Sequence, residues 1–149
     1  LRVKVIRASK EQLYSDGVHL FLEVKDPQDF SKKERMVMRF FDRQCKEVFG
    51  EIVEELYPVF QKYGVAVPSL RIRSMDTRWG SCLPGKGVIT LNKRLLEAPR
   101  NCIEYVVMHE LCHFIHPNHS KHFYAFLSML MPDWKERKKV LDANDTYYL

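Results

Sequence analysis

The sequence contains no long apolar run and only four cysteines. Both features limit the classes of protein to which it can belong. No stretch approaches the roughly 20 consecutive apolar residues that a membrane-spanning helix needs, and no signal peptide is recognisable. The four cysteines form no C-x-x-C pair, which argues against a zinc knuckle and against a dense disulfide framework. These absences predict a globular protein of the reducing cytoplasm with no membrane partner.

Size and composition indicate a single folded domain. A chain of 149 residues with 46% hydrophobic and 29% charged residues is typical of a globular domain and buries enough surface to fold without a metal. We therefore predict one domain over residues 1–149. Because the chain begins at Leu1 and not at Met, residues 1–29 are expected to be the remnant of an N-terminal sheet region that continues upstream.

The charge is positive and concentrated in one segment. The formal net charge is +5, and residues 71–100 hold seven basic side chains against two acidic ones. Solvated lysines and arginines around a hairpin are the ordinary interpretation. If this segment borders a cleft, it favours acidic substrates, or nucleic acid as a partner.

Periodicity predicts two strands followed by a long helix. Residues 3–6 and 18–24 read as strands. Residues 31–34 have the form of a capping box, and apolar residues recur at helical spacing from there to Gly64, which is a plausible stop. This pattern predicts a long scaffold helix that packs across the sheet, with Pro58 expected to kink it or split off its last turn.

After Pro68 the apolar period changes from helical to alternating, which predicts a hairpin. Its last strand, residues 88–92, is the candidate edge that pairs with the backbone of a peptide substrate by β-strand addition. The alternative, that this strand is simply an internal or edge strand of the sheet, stays equally open. Trp79 and Gly80 are expected to pack where the hairpin meets the following helix.

The strongest chemical signal is the HExxH pattern at residues 109–113. Residues four apart lie on one face of a helix, so His109 and His113 can direct both imidazoles at one divalent metal. Glu110 would sit beside the open coordination position, where it can take a proton from water. The pattern also occurs by chance on unrelated helices, but five of the six histidines lie between residues 109 and 122, which favours a metal site.

A catalytic zinc site normally has three protein ligands, so a third is expected nearby. His116 is the weakest candidate, because it lies about 10 Å along the axis from the first ligand and Pro117 disfavours helical geometry there. His119 follows the turn, so its side chain can point back toward His109 and His113. His122 also stays open, since Ser120 as an N-cap would place it in the first turn of the next helix.

Several ordered motifs together resemble the YgjP-like metallopeptidase family over residues 70–141. They are Arg78-Trp79-Gly80-Ser81-Cys82, Ile89-Thr90-Leu91-Asn92, Arg94-Leu95, Pro99, Tyr105-Val106-Val107, His109-Glu110-Leu111-Cys112-His113, and Asn118-His119-Ser120 with Phe123. Two positions depart from the family pattern: Tyr124 stands where Trp is usual, and His122 where another basic residue is expected.

The resemblance implies an α+β, zincin-like domain that hydrolyses peptides. It is expected to have a small antiparallel-rich sheet, a long scaffold helix, a metal helix and C-terminal helices. One zinc ion would be held by His109, His113 and His119, with Glu110 as general base and a peptide or protein as substrate. Further candidates beside the ligands or on the substrate side are Arg78, His122 and Asn92.

Two other functions stay open. Similarity to SprT/Spartan-type proteases, together with the basic segment, suggests a DNA-associated protease, for which the discriminating observation is a steep loss of DNA affinity with salt. A zinc-stabilised scaffold without activity would instead close the metal site with a fourth protein ligand, His116 or His122.

Overall fold

The computed structural model describes residues 2–143, whose helices and strands confirm the predicted α+β class. The chain forms two compact units, Leu1–Gln44 and Cys45–Leu149. None of the helices within residues 2–143 combines the length and apolarity that a membrane crossing requires.

The first unit contains a three-stranded mixed sheet. Its strands are β1 (Arg2–Arg7), β2 (Gln12–Ser15) and β3 (His19–Val24), in the order β1-β3-β2. β3 is parallel to β1 and antiparallel to β2. Alternate residues of β3 are buried, namely Leu20, Leu22 and Val24, as the two-residue period of a strand requires. β2, which was not predicted, is short and mostly exposed.

The long helix α1 (Phe30–Gln61) supplies residues to both units, since their boundary falls between Gln44 and Cys45. Its first turn is capped by Asp29, whose Oδ1 accepts the N–H of Lys32 at 3.0 Å, so the cap lies two residues before the predicted Ser31. The helix runs through Pro58 without interruption. Gly64, at φ +81°, follows its end, where glycine tolerates the left-handed conformation.

The second unit contains another three-stranded mixed sheet. Its strands are β4 (Ser69–Arg73), β5 (Gly80–Leu83) and β6 (Val88–Asn92), in the order β4-β6-β5. β6 pairs with β4 in parallel and with β5 antiparallel. The hypothesis that β6 offers a free edge to substrate is therefore wrong, because both of its edges are already hydrogen-bonded. Within the described part of the chain, β5 and β4 are the edge strands.

Three further helices complete the second unit: α2 (Arg100–Cys112), α3 (Lys121–Leu130) and α4 (Trp134–Ala143). α2 lies in the core, with most of its residues buried. Ser120 caps α3 as predicted, because its Oγ accepts the N–H of Phe123 at 3.3 Å.

α4 is held against α2 by polar contacts as well as by packing. Arg137 donates to the Glu104 carboxylate at 3.0 Å and to the Asn101 carbonyl at 3.1 Å. At the start of α4, Trp134 is buried and its Nε1 donates to Ser128 Oγ at 2.9 Å. The contacts of Arg137 tie α4 to the first turns of α2, and that of Trp134 ties the start of α4 to α3.

Candidate metal centre and cleft

Three imidazoles converge in the second unit. His109, His113 and His119 each offer a ring nitrogen, and these nitrogens lie within 4.8 Å of one another. The Nε2 atoms of His109 and His119 are 3.0 Å apart. α2 presents His109 on its last turn and His113 immediately after it, and the loop before α3 presents His119.

The loop that returns His119 begins where α2 stops. Residues 113–115 form a turn, and Pro117 has no N–H with which to continue a helix. His113 Nδ1 lies 3.2 Å from the carbonyl oxygen of His116. Because a carbonyl can only accept, Nδ1 carries the proton, which leaves Nε2 of His113 free to bind a metal.

One phenyl ring packs against His109, His113 and His119, which together form the histidine triad. Phe123 is fully buried, and its ring centroid lies 4.9 Å from that of His109, 4.6 Å from that of His113 and 5.1 Å from that of His119. The three imidazoles are therefore packed on a common apolar surface, which restricts their rotamers.

The protonation states suit metal binding. Burial, with the neighbouring His113 and His119, lowers the pKa of His109 to about 3, and burial also lowers the pKa of His113. Both rings are thus neutral at pH 7 and keep a free nitrogen lone pair, the form that zinc binds. Nδ1 of His109 is buried and finds no hydrogen-bond partner among residues 2–143. The donor set fits a divalent metal.

Glu110 lies beside the triad with an unusual pKa. Its side chain is 6% exposed, and burial raises its pKa to about 7, although the nearby Arg78 guanidinium opposes the shift. Gly80 of β5 allows this close packing, because a Cβ at position 80 would lie 3.3 Å from Cγ of Glu110 and 3.1 Å from Val106. The predicted packing of the hairpin against the metal helix is confirmed.

Asn92 and Arg78 differ in their position relative to the cleft. Asn92 is fully buried, and its amide donates to the carbonyls of Met75 at 2.9 Å and Arg78 at 2.8 Å. Its Oδ1 also accepts the N–H of Arg94 at 3.1 Å. Asn92 therefore holds the loop that carries Arg78, and Arg78 itself lines the cleft.

The structure does not bring His122 or His116 to the triad. Their rings stack on each other with centroids 6.3 Å apart, and the side chain of His122 is exposed. Over residues 2–143, no further histidine, cysteine or carboxylate joins the three-histidine group.

A cleft of about 480 Å³ opens onto the triad and Glu110. β5 forms one side with Gly80, Ser81 and Cys82, and burial raises the pKa of the Cys82 thiol to about 12, so it stays protonated. The other side includes residues that sequence reasoning did not identify as cleft residues: Tyr105, Lys138 and Asp142. Their spacing on α2 and α4 carries no signal that they face a site.

Comparisons with known proteins agree with the family resemblance and with the fold. The family model described as "YgjP-like, metallopeptidase domain" matches residues 1–144. The crystal structure of the metallopeptidase zymogen jannalysin from Methanocaldococcus jannaschii is similar, with a TM-score of 0.55 and 21% identity, over 64% of this chain and 95% of that one. The crystal structure of the metallopeptidase zymogen abylysin from Pyrococcus abyssi is also similar, with a TM-score of 0.55 and 20% identity, over 66% of this chain and 93% of that one. No curated protein matches the chain.

Proposed function

The chain belongs to the YgjP-like metallopeptidase family and is a metal-dependent peptidase, and we propose that its metal is one zinc ion held by His109, His113 and His119. The observation that carries this proposal is the convergence of three ring nitrogens beside a buried carboxyl group at the base of a cleft. Three protein ligands with one open position are the usual arrangement of a catalytic zinc site.

We propose Glu110 as the general base. When bound, zinc supplies a Lewis acid that polarises the substrate carbonyl and lowers the pKa of water to about 7. A carboxyl group whose own pKa is about 7 can accept the proton of the attacking water and return it to the leaving amine at neutral pH. The Arg78 guanidinium, which also lines the cleft, would stabilise the oxyanion of the tetrahedral intermediate.

The edge strand β5 supports a binding mode for the peptide. In the described part of the chain, β5 pairs with β6 alone, and three of its residues line the cleft. An extended peptide that adds to this edge would lie along the cleft and pass the triad. The free thiols of all four cysteines support a reducing, cytoplasmic setting for the reaction.

Three substitutions test the metal and base assignments together. We expect His109→Ala and His119→Ala to lose stoichiometric zinc, and Glu110→Gln to keep zinc while losing about 10²- to 10⁴-fold in kcat, the usual contribution of a general base. Zinc content is measured by elemental analysis, and turnover with an internally quenched peptide mixture.

His122→Ala is the matched control, because this exposed histidine lies near the triad in sequence but outside it in space. It should retain both zinc and turnover. Full activity of Glu110→Gln, or stoichiometric zinc in His119→Ala, would contradict the assignments.

A DNA-associated protease of the SprT/Spartan type is the second candidate. Arg71 and Arg73 are both exposed on the same face of the edge strand β4, which supports a basic surface in the second unit. Binding of a DNA duplex should then weaken steeply as salt rises. If the protein fails to bind DNA at low salt, this candidate is excluded while the peptidase proposal stands.

A further inference from the structure

A second cavity of about 460 Å³ adjoins the metal cleft. Its walls share Tyr105, His109, Lys138 and Asp142 with that cleft. Since His109 is one of the three grouped histidines, a chain bound across the metal centre passes the mouth of this second cavity.

The cavity has an aromatic wall. The ring of Trp134 stacks on Tyr105, with centroids 6.2 Å apart and planes 12° apart, and on Tyr124, at 5.5 Å and 24°. Trp134 and Tyr105 are buried. A stacked wall of this kind is rigid and packs well against the methylene groups of a side chain.

The rim of the cavity is strongly basic. Lys135, Lys138 and Lys139 all line it, against a single acidic residue, Asp142. Lys138 is paired with Asp142 at 2.7 Å, and the ammonium group of Lys135 lies 5.7 Å from the centroid of the Trp134 ring. Lys139 forms no ion pair with any residue between 2 and 143. Two of the three positive charges therefore have no carboxylate partner among the described residues.

We propose that this cavity is a specificity subsite for an acidic side chain, glutamate or aspartate, adjacent to the scissile bond of the peptide substrate. The inference rests on the proposed peptidase function and adds the substrate class. The stacked rings would contact the methylene groups of the side chain, and Lys135 and Lys139 would pair with its carboxylate at the rim.

Aromatic rings beside lysines also suit a nucleic acid, whose bases stack on the rings while the lysines contact its phosphates. The acidic peptide is favoured by position, because the cavity shares His109 with the peptide cleft. Neighbouring residues of an extended peptide are about 3.3 Å apart along the chain, so a side chain one or two residues from the reacting bond is within reach of the adjoining cavity.

The test uses the full zinc-loaded protein and matched quenched peptides. The parent peptide carries glutamine at every position flanking the cleaved bond. Each further peptide of the series replaces one of these glutamines by glutamate. We expect glutamate at one of these positions to raise kcat/KM about tenfold, since each of the two exposed ion pairs should contribute about threefold. The preference should shrink as salt is raised from 0.05 M to 0.5 M, because exposed charges are screened.

Substitutions of single lysines then test which side chains cause the preference for glutamate. Lys135→Gln and Lys139→Gln should each lower the glutamate-to-glutamine ratio about threefold, and Lys139→Glu should lower the ratio further than Lys139→Gln does. Lys62→Gln, a matched change of an exposed lysine that lines neither cavity, should leave the ratio unchanged. Zinc content of each variant shows that the fold is intact.

The outcomes separate this inference from the proposed function. Absence of cleavage of every peptide overturns the peptidase assignment and this inference with it. Cleavage with equal kcat/KM for glutamate and glutamine peptides overturns the subsite alone. A single-stranded oligonucleotide that binds more weakly to Lys135→Gln and Lys139→Gln, while those variants keep the peptide ratio, would overturn it in favour of a nucleic acid site.

Discussion

A single residue, Phe123, connects the apolar core to the metal centre. Its ring packs against all three imidazoles at centroid distances between 4.6 and 5.1 Å, while Ser120 fixes the backbone of its helix turn. A ligand set is bound tightly when its rings are already oriented before the ion arrives. Phe123 is therefore a positioning residue for His109, His113 and His119.

We predict that Phe123→Leu weakens zinc binding by about tenfold, the lower end of the effect of removing a group that orients metal ligands. The fold should survive, because leucine keeps an apolar side chain at this position and a single substitution usually costs about 0.5–3 kcal/mol of a total stability of about 5–15 kcal/mol. Zinc affinity is measured by competition with a chromogenic chelator.

Phe126→Leu is the matched control on the same helix. Phe126 packs on Phe60 and Tyr63 and makes no ring contact with the triad among the described residues. Phe126→Leu should lower stability by less than Phe123→Leu, because Phe126 is only partly buried, and should leave zinc affinity unchanged. Equal zinc affinities for the two variants would contradict the positioning role.

Spacing alone predicted that His109, Glu110 and His113 share one helical segment, and the structure places the segment at the end of α2. The third histidine could not be chosen from spacing, because the direction of a side chain after a turn depends on the loop geometry that Pro117 and Ser120 set together. The resemblance to a family supplied His119. Lys138 and Asp142 were not found, since which face of α4 meets the cleft is decided by tertiary packing.

At the scale of elements, the short strand β5 was not assigned bounds from the sequence, which predicted only a hairpin ending in residues 88–92. Its residues Gly80, Ser81, Cys82 and Leu83 include poor strand formers, so its strand conformation comes from pairing with β6 and not from local preference. The longer strand β6, which is apolar and regular, was predicted at the right residues but given the wrong place in the sheet. Strand order depends on long-range pairing that periodicity does not encode.

We predict that Gly80→Ala lowers both stability and turnover. The new Cβ would lie 3.1 Å from the carbonyl oxygen of Thr90 in β6 and 3.1 Å from Val106 in α2, so β5 and these neighbours have to shift by a few tenths of an ångström, at a cost of about 1–3 kcal/mol. That movement shifts the cleft wall relative to Glu110. Denaturant unfolding and peptide turnover measure the two effects.

Gly85→Ala is the control for Gly80→Ala. Gly85 lies in the turn between β5 and β6, and a Cβ there meets nothing within 4 Å. It should change neither stability nor turnover appreciably. If Gly80→Ala behaves like Gly85→Ala, the close approach of β5 to α2 is not needed for the site.

For the whole molecule, the three grouped histidines, Glu110 and the two adjoining cavities all belong to the unit Cys45–Leu149. That unit has an extensive buried core, which includes Phe49, Phe60, Leu91, Leu111 and Leu127. Burial of each such side chain contributes about 1.5–3 kcal/mol. The fold should therefore persist when the metal is removed, as the size of the chain already suggested.

We predict that chelation of the metal lowers the melting temperature by about 5–10 °C without loss of helix. Zinc at 100 times its dissociation constant stabilises the folded state by about 2.7 kcal/mol, and each kcal/mol moves the midpoint of a protein of this size by about 2–4 °C. Circular dichroism, with and without chelator, measures both quantities.

The triad variant His119→Ala is the reference for that measurement. Because it is expected to lack the ion already, its midpoint should not respond to chelator. Complete unfolding of the unsubstituted protein on chelation would show that the metal, and not the apolar core, holds the second unit together.

The two Nε2 atoms that lie 3.0 Å apart belong to residues only ten positions apart in the chain. A segment of this length closes on itself in about 10–100 ns, and its small loop entropy makes closure inexpensive. Reloading a stripped enzyme is therefore limited by the arrival of the ion and not by any refolding step, so demetallation should be a fully reversible event.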